Sequence, residues 1–326
     1  MIKVHCFVSC VCEVINKAEG VDHRPYYFGV WDSDFFIENH VLHYHSPNTN
    51  HEFFKDWYKT LYGIELVKWY DPTKSVQENQ LHLCDLVEHK KEYEQIMVMI
   101  DLSYLPEREN KFHTKPFPHY VMVEKMDDEE SWFMWDPDFR WEGKVSKERI
   151  LESMEEPTVG GGYIFSTEQL VPPTELTVEA YFATCMKLDT YPMTEAVQKI
   201  IHNYVDSESE TSRPSLKDSL RHLPVLAIRK YAYEHAYAYF WERLGFDEDW
   251  FETWCDKIEL LVKGYTLIQY KAMKYDRMPS ESLLTEIDQI IHNQFHLESQ
   301  IKHGLMNCFH QWKESQQSVQ EEVMVK

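Results

Sequence analysis

Long apolar runs, positive charge and glycine are the three things this sequence has little of. No stretch of its 326 residues is long and apolar enough to cross a bilayer. Nothing resembles a secretory signal either, because the residues after Met1 include Lys3, His5 and the cysteines Cys6, Cys10 and Cys12. The expectation is a cytoplasmic protein. Seven cysteines, an odd number with no Cys-x-x-Cys pair, suit a reducing compartment better than a disulfide framework or a thiolate zinc site. Lys and Arg number 33 against 55 Asp and Glu, a formal charge of −22. Nucleic-acid binding rests on clustered cations, so a phosphate-backbone partner is excluded. A cationic substrate such as a polyamine would be drawn to such a surface. Three of the ten glycines are Gly160-Gly161-Gly162. They lack both the GxGxxG spacing and the Lys-Ser/Thr of a phosphate loop, and they read as a turn.

What is present is a globular composition, 43% hydrophobic and 14% aromatic. Its character changes near residue 170, at Leu170-Val171-Pro172-Pro173-Thr174, where two prolines can neither continue a helix nor donate to a sheet ladder. Before that linker, short β-like runs alternate with helical ones. Phe7 to Ala18, His51 to Tyr62, Ser75 to His89 and Ser146 to Glu155 read as helices. Ile96 to Ile100, ending at Asp101, reads as a strand buried on both faces, with further strands at His119 to Glu124, Trp132 to Asp136 and Tyr163 to Phe165. Beyond it, helices are predicted at Thr177 to Leu188, Thr194 to Val205, Leu216 to Leu244 (kinked or split at Pro224), Asp247 to Tyr275 and Ser280 to Glu314. The fold class is therefore α+β in domain 1–170, followed by an all-α helical domain, 171–326.

The chemistry concentrates on a thiol at the start of the first helix. Cys6 would gain from the partial positive charge of the helix N-terminus, whereas Cys10 and Cys12 read as packing residues. Far downstream, a hairpin with a four-residue loop at Met126 to Glu129 would pair Lys125 with Glu130 and set His119 opposite Asp136. Side chains opposed in this way share a face with Cβ atoms roughly 5 Å apart. An Asp there can fix the tautomer of a His that takes a thiol proton, which makes Cys6, His119 and Asp136 a candidate nucleophile, base and orienting acid. Asp138 is the reserve acid. Asp32, Asp34 and Glu38 could receive distal ammonium groups, and a basic patch could include Arg221, Arg229 and Lys230.

His5-Cys6 opening a helix, an apolar strand ending in Asp101-Leu102-Ser103-Tyr104-Leu105-Pro106, then His119-Tyr120-Val121-Met122-Val123 and Trp135-Asp136-Pro137, together resemble the BtrH-like papain-fold acyltransferases. The likeness covers the first half. Over its whole length the chain resembles enzymes of petrobactin siderophore assembly. That resemblance implies a papain-like catalytic domain and transfer of 3,4-dihydroxybenzoate from an aryl carrier protein to spermidine or a spermidine conjugate. No cofactor would be bound, the acyl group arriving on the carrier's phosphopantetheine. Cys6, His119 and Asp136 match the family's catalytic positions. Asp101 and Tyr104 match a strand end whose role is structural or substrate-contacting. Papain's upstream Gln has no counterpart among the residues before Cys6, so the oxyanion would need the backbone N–H of Cys6 or Phe7 with His5 or a distant donor.

The dense His40, His43, His45 and His51 cluster could hold zinc if His43 and His45 shared a strand face, but hydrogen-bonded surface histidines are the commoner reading. Two alternatives stand beside the acyltransferase. One is a cysteine hydrolase using the same triad; the other is a non-catalytic binding protein of an assembly line.

Overall fold

In the computed structural model, residues 4–46, 49–109, 111, 116–206 and 214–325 are described. The chain forms two compact units. The first comprises Met1–Tyr26 and His45–Val178, and the second Tyr27–Tyr44 and Glu179–Lys326. The prolines near 172 therefore lie close to one boundary, while the excursion of residues 27–44 into the second unit has no composition signal.

The first unit is built on a six-stranded sheet, ordered β3-β8-β4-β5-β6-β7 with every pair antiparallel. The strands are β3 (Val67–Lys68), β4 (Glu94–Asp101), β5 (Pro118–Lys125), β6 (Ser131–Asp136), β7 (Trp141–Ser146) and β8 (Gly162–Ser166). β4 lies third in the sheet and its last six residues are all buried, as its unbroken apolar run requires. Helix α1 (Cys6–Asn16) packs on β5 through the rings of Phe7 and Tyr120, 5.6 Å apart. Val121 and Val123 enter the core shared with Leu83 and Val87 of α3 (Val76–His89) and Ile150 of α4 (Lys147–Ser153). Successive strand residues point to opposite faces, so α1 and the α3–α4 pair cover the sheet from two sides.

Local signals explain several element ends. Ser75 and Glu78 close a reciprocal capping box at the start of α3. Helix α2 (Glu52–Tyr62) stops at Gly63, whose φ of 73° suits a residue without a Cβ. Of the three glycines at 160–162 that lead into β8, two are required by space. A Cβ at Gly161 would strike the Tyr120 hydroxyl, and one at Gly162 the Trp69 ring.

The hairpin register differs from the predicted one. Lys125 pairs with Trp132 and Met122 with Trp135, a shift of two residues, because the connection runs longer than Met126 to Glu129. A shift of two keeps every side chain on its predicted face, whereas a shift of one would have reversed them. Strand β7 was not anticipated.

The second unit is helical apart from the hairpin β1 (Phe36–Glu38) and β2 (Val41–His43). Its turn residues Asn39 and His40 are both left-handed, with φ of 51° and 65°, as a two-residue hairpin demands. Helices α5 (Glu175–Cys185, whose first turn belongs to the first unit) and α6 (Pro192–Asp206) are followed by α7 (Leu216–Ser219) and α8 (Leu223–Ala227). Then come α9 (Ala232–Leu244), α10 (Glu248–Arg277) and α11 (Glu281–Val325). The predicted helix from Leu216 to Leu244 is thus broken into pieces around Pro224. The face of α10 carrying Ile258, Leu261, Tyr265 and Ile268 is buried, as its spacing predicts. Among the described residues no helix is long and apolar enough to cross a membrane.

Candidate active site

Cys6 is the first helical residue of α1 and is half-buried. Nothing in a helix satisfies its first N–H groups, and here the N-cap His5 offers no side-chain cap. Asp138 instead ties down the two residues that lead into the helix. Its Oδ1 accepts the N–H of Val4 at 3.1 Å, the N–H of His5 at 3.2 Å and the Ser9 hydroxyl at 2.9 Å. Asp138 is therefore the anchor of the helix start and not a reserve acid. Pro137 explains the division of labour. It has no N–H for the ladder, so β6 ends at Asp136 and the chain turns in a 3₁₀ turn, Pro137–Phe139.

The carboxylate that stays with the strand meets the imidazole. His119 Nε2 and Asp136 Oδ1 are 2.9 Å apart, and both residues are buried. With the two-residue register shift they meet across a diagonal of the antiparallel pair, not face to face, which long side chains can span. The same Oδ1 accepts the N–H of Phe139 at 3.2 Å, closing the turn. Cys6 lies near enough for its charge to act on the same imidazole. Burial alone would strip the imidazolium of its proton. The charges of Asp136 and Cys6 and the hydrogen bonds to both outweigh that and push His119 up to about 10. The structure thus pairs His119 with Asp136 and sets Cys6 beside them.

A fourth member escaped the sequence reading. Arg108 Nη2 lies 2.8 Å from Asp136 Oδ2, and the guanidinium is buried. The contact is ionic and out of line for a hydrogen bond, since Oδ2 accepts none. The guanidinium carbon sits 5.3 Å from the Phe139 ring centre and 5.0 Å from that of Trp141. No spacing rule links Arg108 to Asp136. The only hint was its position just beyond the Asp101-to-Pro106 motif.

Comparison with known proteins places the molecule. The family model described as the DUF6005 N-terminal domain matches residues 1–170, and the one described as the DUF6005 C-terminal domain matches residues 176–326. The chain belongs to the DUF6005 family. It is similar to a petrobactin synthase of Bacillus anthracis, with 43% identity over 314 residues that cover 96% of each protein.

In this DUF6005 chain the remaining candidates divide by what already holds them. Cys10 is fully buried with its sulfur 3.6 Å from the Tyr120 carbonyl, and burial raises its thiol well above the ordinary range. That suits packing. Asp101 is completely buried, and its Oδ1 accepts the N–H of Ser103 at 2.8 Å and of Phe117 at 3.0 Å. It caps the 3₁₀ turn Leu102–Tyr104. Tyr104 belongs to that turn. The His5 ring stands 5.6 Å from Phe54 and 6.4 Å from His51.

Asp32, Asp34 and Glu38 lie in the second unit. Asp32 is not a vacant anion, because Lys230 Nζ and Lys302 Nζ hold its two oxygens at 2.9 and 2.6 Å. Asp34 and Glu38 have exposed side chains. Arg229 and Lys230 are buried and directed inward, so they form no surface basic patch. His43 packs on His222, whereas His45 Nε2 bonds the Thr158 carbonyl. Among the described residues, no three His, Cys, Asp or Glu gather as a metal would need.

Proposed function

We propose that this protein is a cysteine-dependent N-acyltransferase of petrobactin assembly, with a papain-like catalytic domain and a Cys6–His119–Asp136 triad. The observation that carries the reading is the buried His119–Asp136 hydrogen bond beside Cys6 at a helix N-terminus. The name of its relative and the sequence resemblance support the pathway and the substrates. The donor is an aryl group, 3,4-dihydroxybenzoyl, held as a thioester on the phosphopantetheine of an aryl carrier protein. The acceptor is a primary amine of spermidine or a spermidine conjugate, which an acidic protein attracts.

In the first half-reaction the Cys6 thiolate adds to the thioester carbonyl. The tetrahedral oxyanion collapses as the carbon–sulfur bond to the carrier breaks, and the imidazolium of His119 gives its proton to the departing thiolate. Cys6 then carries the acyl group and His119 is neutral. In the second, the amine nitrogen attacks the acyl carbon while His119 takes a proton from it. Collapse forms the amide and returns the Cys6 thiolate beside an imidazolium. Amide formation from a thioester runs downhill, so the step needs no ATP. Asp136 holds the imidazole orientation throughout.

Incubation with a dihydroxybenzoyl thioester, with and without spermidine, tests this reading by mass spectrometry. The expected result is an acyl adduct on the Cys6 peptide that spermidine converts to amide. Release of free acid with no amide would make the enzyme a hydrolase, and absence of any adduct would make it a binding protein.

A further inference from the structure

Buried arginines need a reason, because a guanidinium taken out of water is costly unless an anion receives it. The partner of Arg108 is the carboxylate that already serves His119. Four groups thus follow one another through the first unit: the Arg108 guanidinium, Asp136, His119 and Cys6. We propose that Arg108 is a positioning residue: it fixes which Asp136 oxygen faces His119, and it draws on the charge of that carboxylate so that His119 can release its proton to the leaving thiol. This rests on reading Cys6 as the nucleophile.

Two features make the arrangement specific. Arg108 takes Oδ2 alone, which leaves Oδ1 to His119 and to the N–H of Phe139. The flanking rings of Phe139 and Trp141 then hold the guanidinium plane, a contact that Lys cannot reproduce. Without the cation, Asp136 would face His119 as an uncompensated buried anion and hold its proton more firmly. Loss of a positive charge also disfavours the thiolate, so both titrations of the Cys6–His119 pair must move to higher pH. Among the described residues, Cys10 and Tyr120 lie close enough to Cys6 to feel its charge, Asp138 and Glu13 act on Cys10, and Lys111 sits over the Phe139 ring. Lys111 is the cation among them, and its ammonium lies over the rings of Phe117 and Phe139.

The experiment is alkylation of Cys6 by iodoacetamide as a function of pH, read on its own peptide by mass spectrometry in the full chain. Arg108→Gln should raise the midpoint by roughly one pH unit, the low end of the effect of a charge at this distance. Arg108→Lys should restore most of that midpoint but leave acyl transfer slow. In the Asp136→Asn background, where the buried carboxylate charge is gone and Arg108→Gln leaves no unpaired anion, the same replacement should move the midpoint little. An unchanged midpoint in folded Arg108→Gln, or an equal shift in both backgrounds, overturns the proposal. If His119→Gln leaves Cys6 alkylation as in the native chain, the nucleophile reading itself has failed, and Arg108 falls with it.

Discussion

Two buried clusters of four charged groups make an instructive pair. In the first unit Arg108, Asp136, His119 and Cys6 form a linear chain. In the second, Lys230 and Lys302 face Asp32 and Glu298, with the Lys230–Glu298 contact at 2.5 Å. The two clusters differ in how completely the groups are satisfied. Glu298 accepts from Tyr233 at 2.9 Å and Tyr265 at 3.3 Å, and Lys302 donates to the carbonyls of Lys187 and Thr190. The Asp136–Arg108 contact has no such supplement, and the chain ends on a half-buried sulfur. A fully satisfied network is a lock, whereas a chain that ends in a reactive atom has somewhere to send a proton.

The largest expected effect separates the two by chemistry. Cys6→Ala should abolish the acyl adduct and lower turnover by roughly 10⁴-fold or more, as loss of a triad nucleophile does, with thermal stability little changed. Cys10→Ala should keep the adduct. An adduct that survives in Cys6→Ala and disappears in Cys10→Ala would reassign the nucleophile.

The next effect runs the other way, on stability. Glu298→Ala leaves two lysines against one carboxylate in a dry site, which should cost about 3–5 kcal/mol in chemical denaturation, while the folded fraction still forms the Cys6 adduct. The lock also ties in residues 27–44: Asp32 carries both lysines, Arg229 bonds the carbonyls of Asp34 and Tyr44, and Trp31 stacks on Tyr233 at 4.9 Å. A polypeptide of residues 176–326 alone, the span of the second family domain, lacks that segment. It should show no cooperative unfolding transition, and a sharp transition by calorimetry would refute the dependence.

How far the residues announced all this depends on the range over which each signal acts. Helix starts and buried strands were legible because capping boxes, apolar runs and 3.6-residue spacing are local. The helix beginning at Ser75, the β4 run and the α10 face all formed as read. The His119–Asp136 contact was legible through parity alone, since a two-residue register error keeps both side chains on one face. Strand β7 was hidden by Glu142, Gly143 and Lys144, which have little strand preference and are ordered by pairing with β6. Arg108 and the excursion of residues 27–44 were illegible for a shared reason. Each is fixed by partners distant in sequence, and no periodicity records such a contact.

The smallest predicted effect contrasts the clusters by pH. Folded His119 keeps its proton up to about 10, against burial and through Asp136 and Cys6, whereas an unfolded histidine releases it near pH 6.5. Its contribution to stability is therefore complete below about 6.5 and fades as the pH rises toward about 10. Asp32 behaves oppositely. Burial would raise it, but Lys230 and Lys302 hold it below the usual carboxylate range, so its contribution is present above about pH 4 and fades on acidification. Hydrogen exchange should then show β5 amides progressively losing protection between pH 6.5 and 9 after correction for intrinsic exchange. His119→Gln should flatten that slope, while α9 amides should stay level over the same range. A slope of equal size in both units, or one that persists in His119→Gln, would mean that the alkaline loss has a source other than the imidazolium, and the two clusters would no longer be told apart by pH.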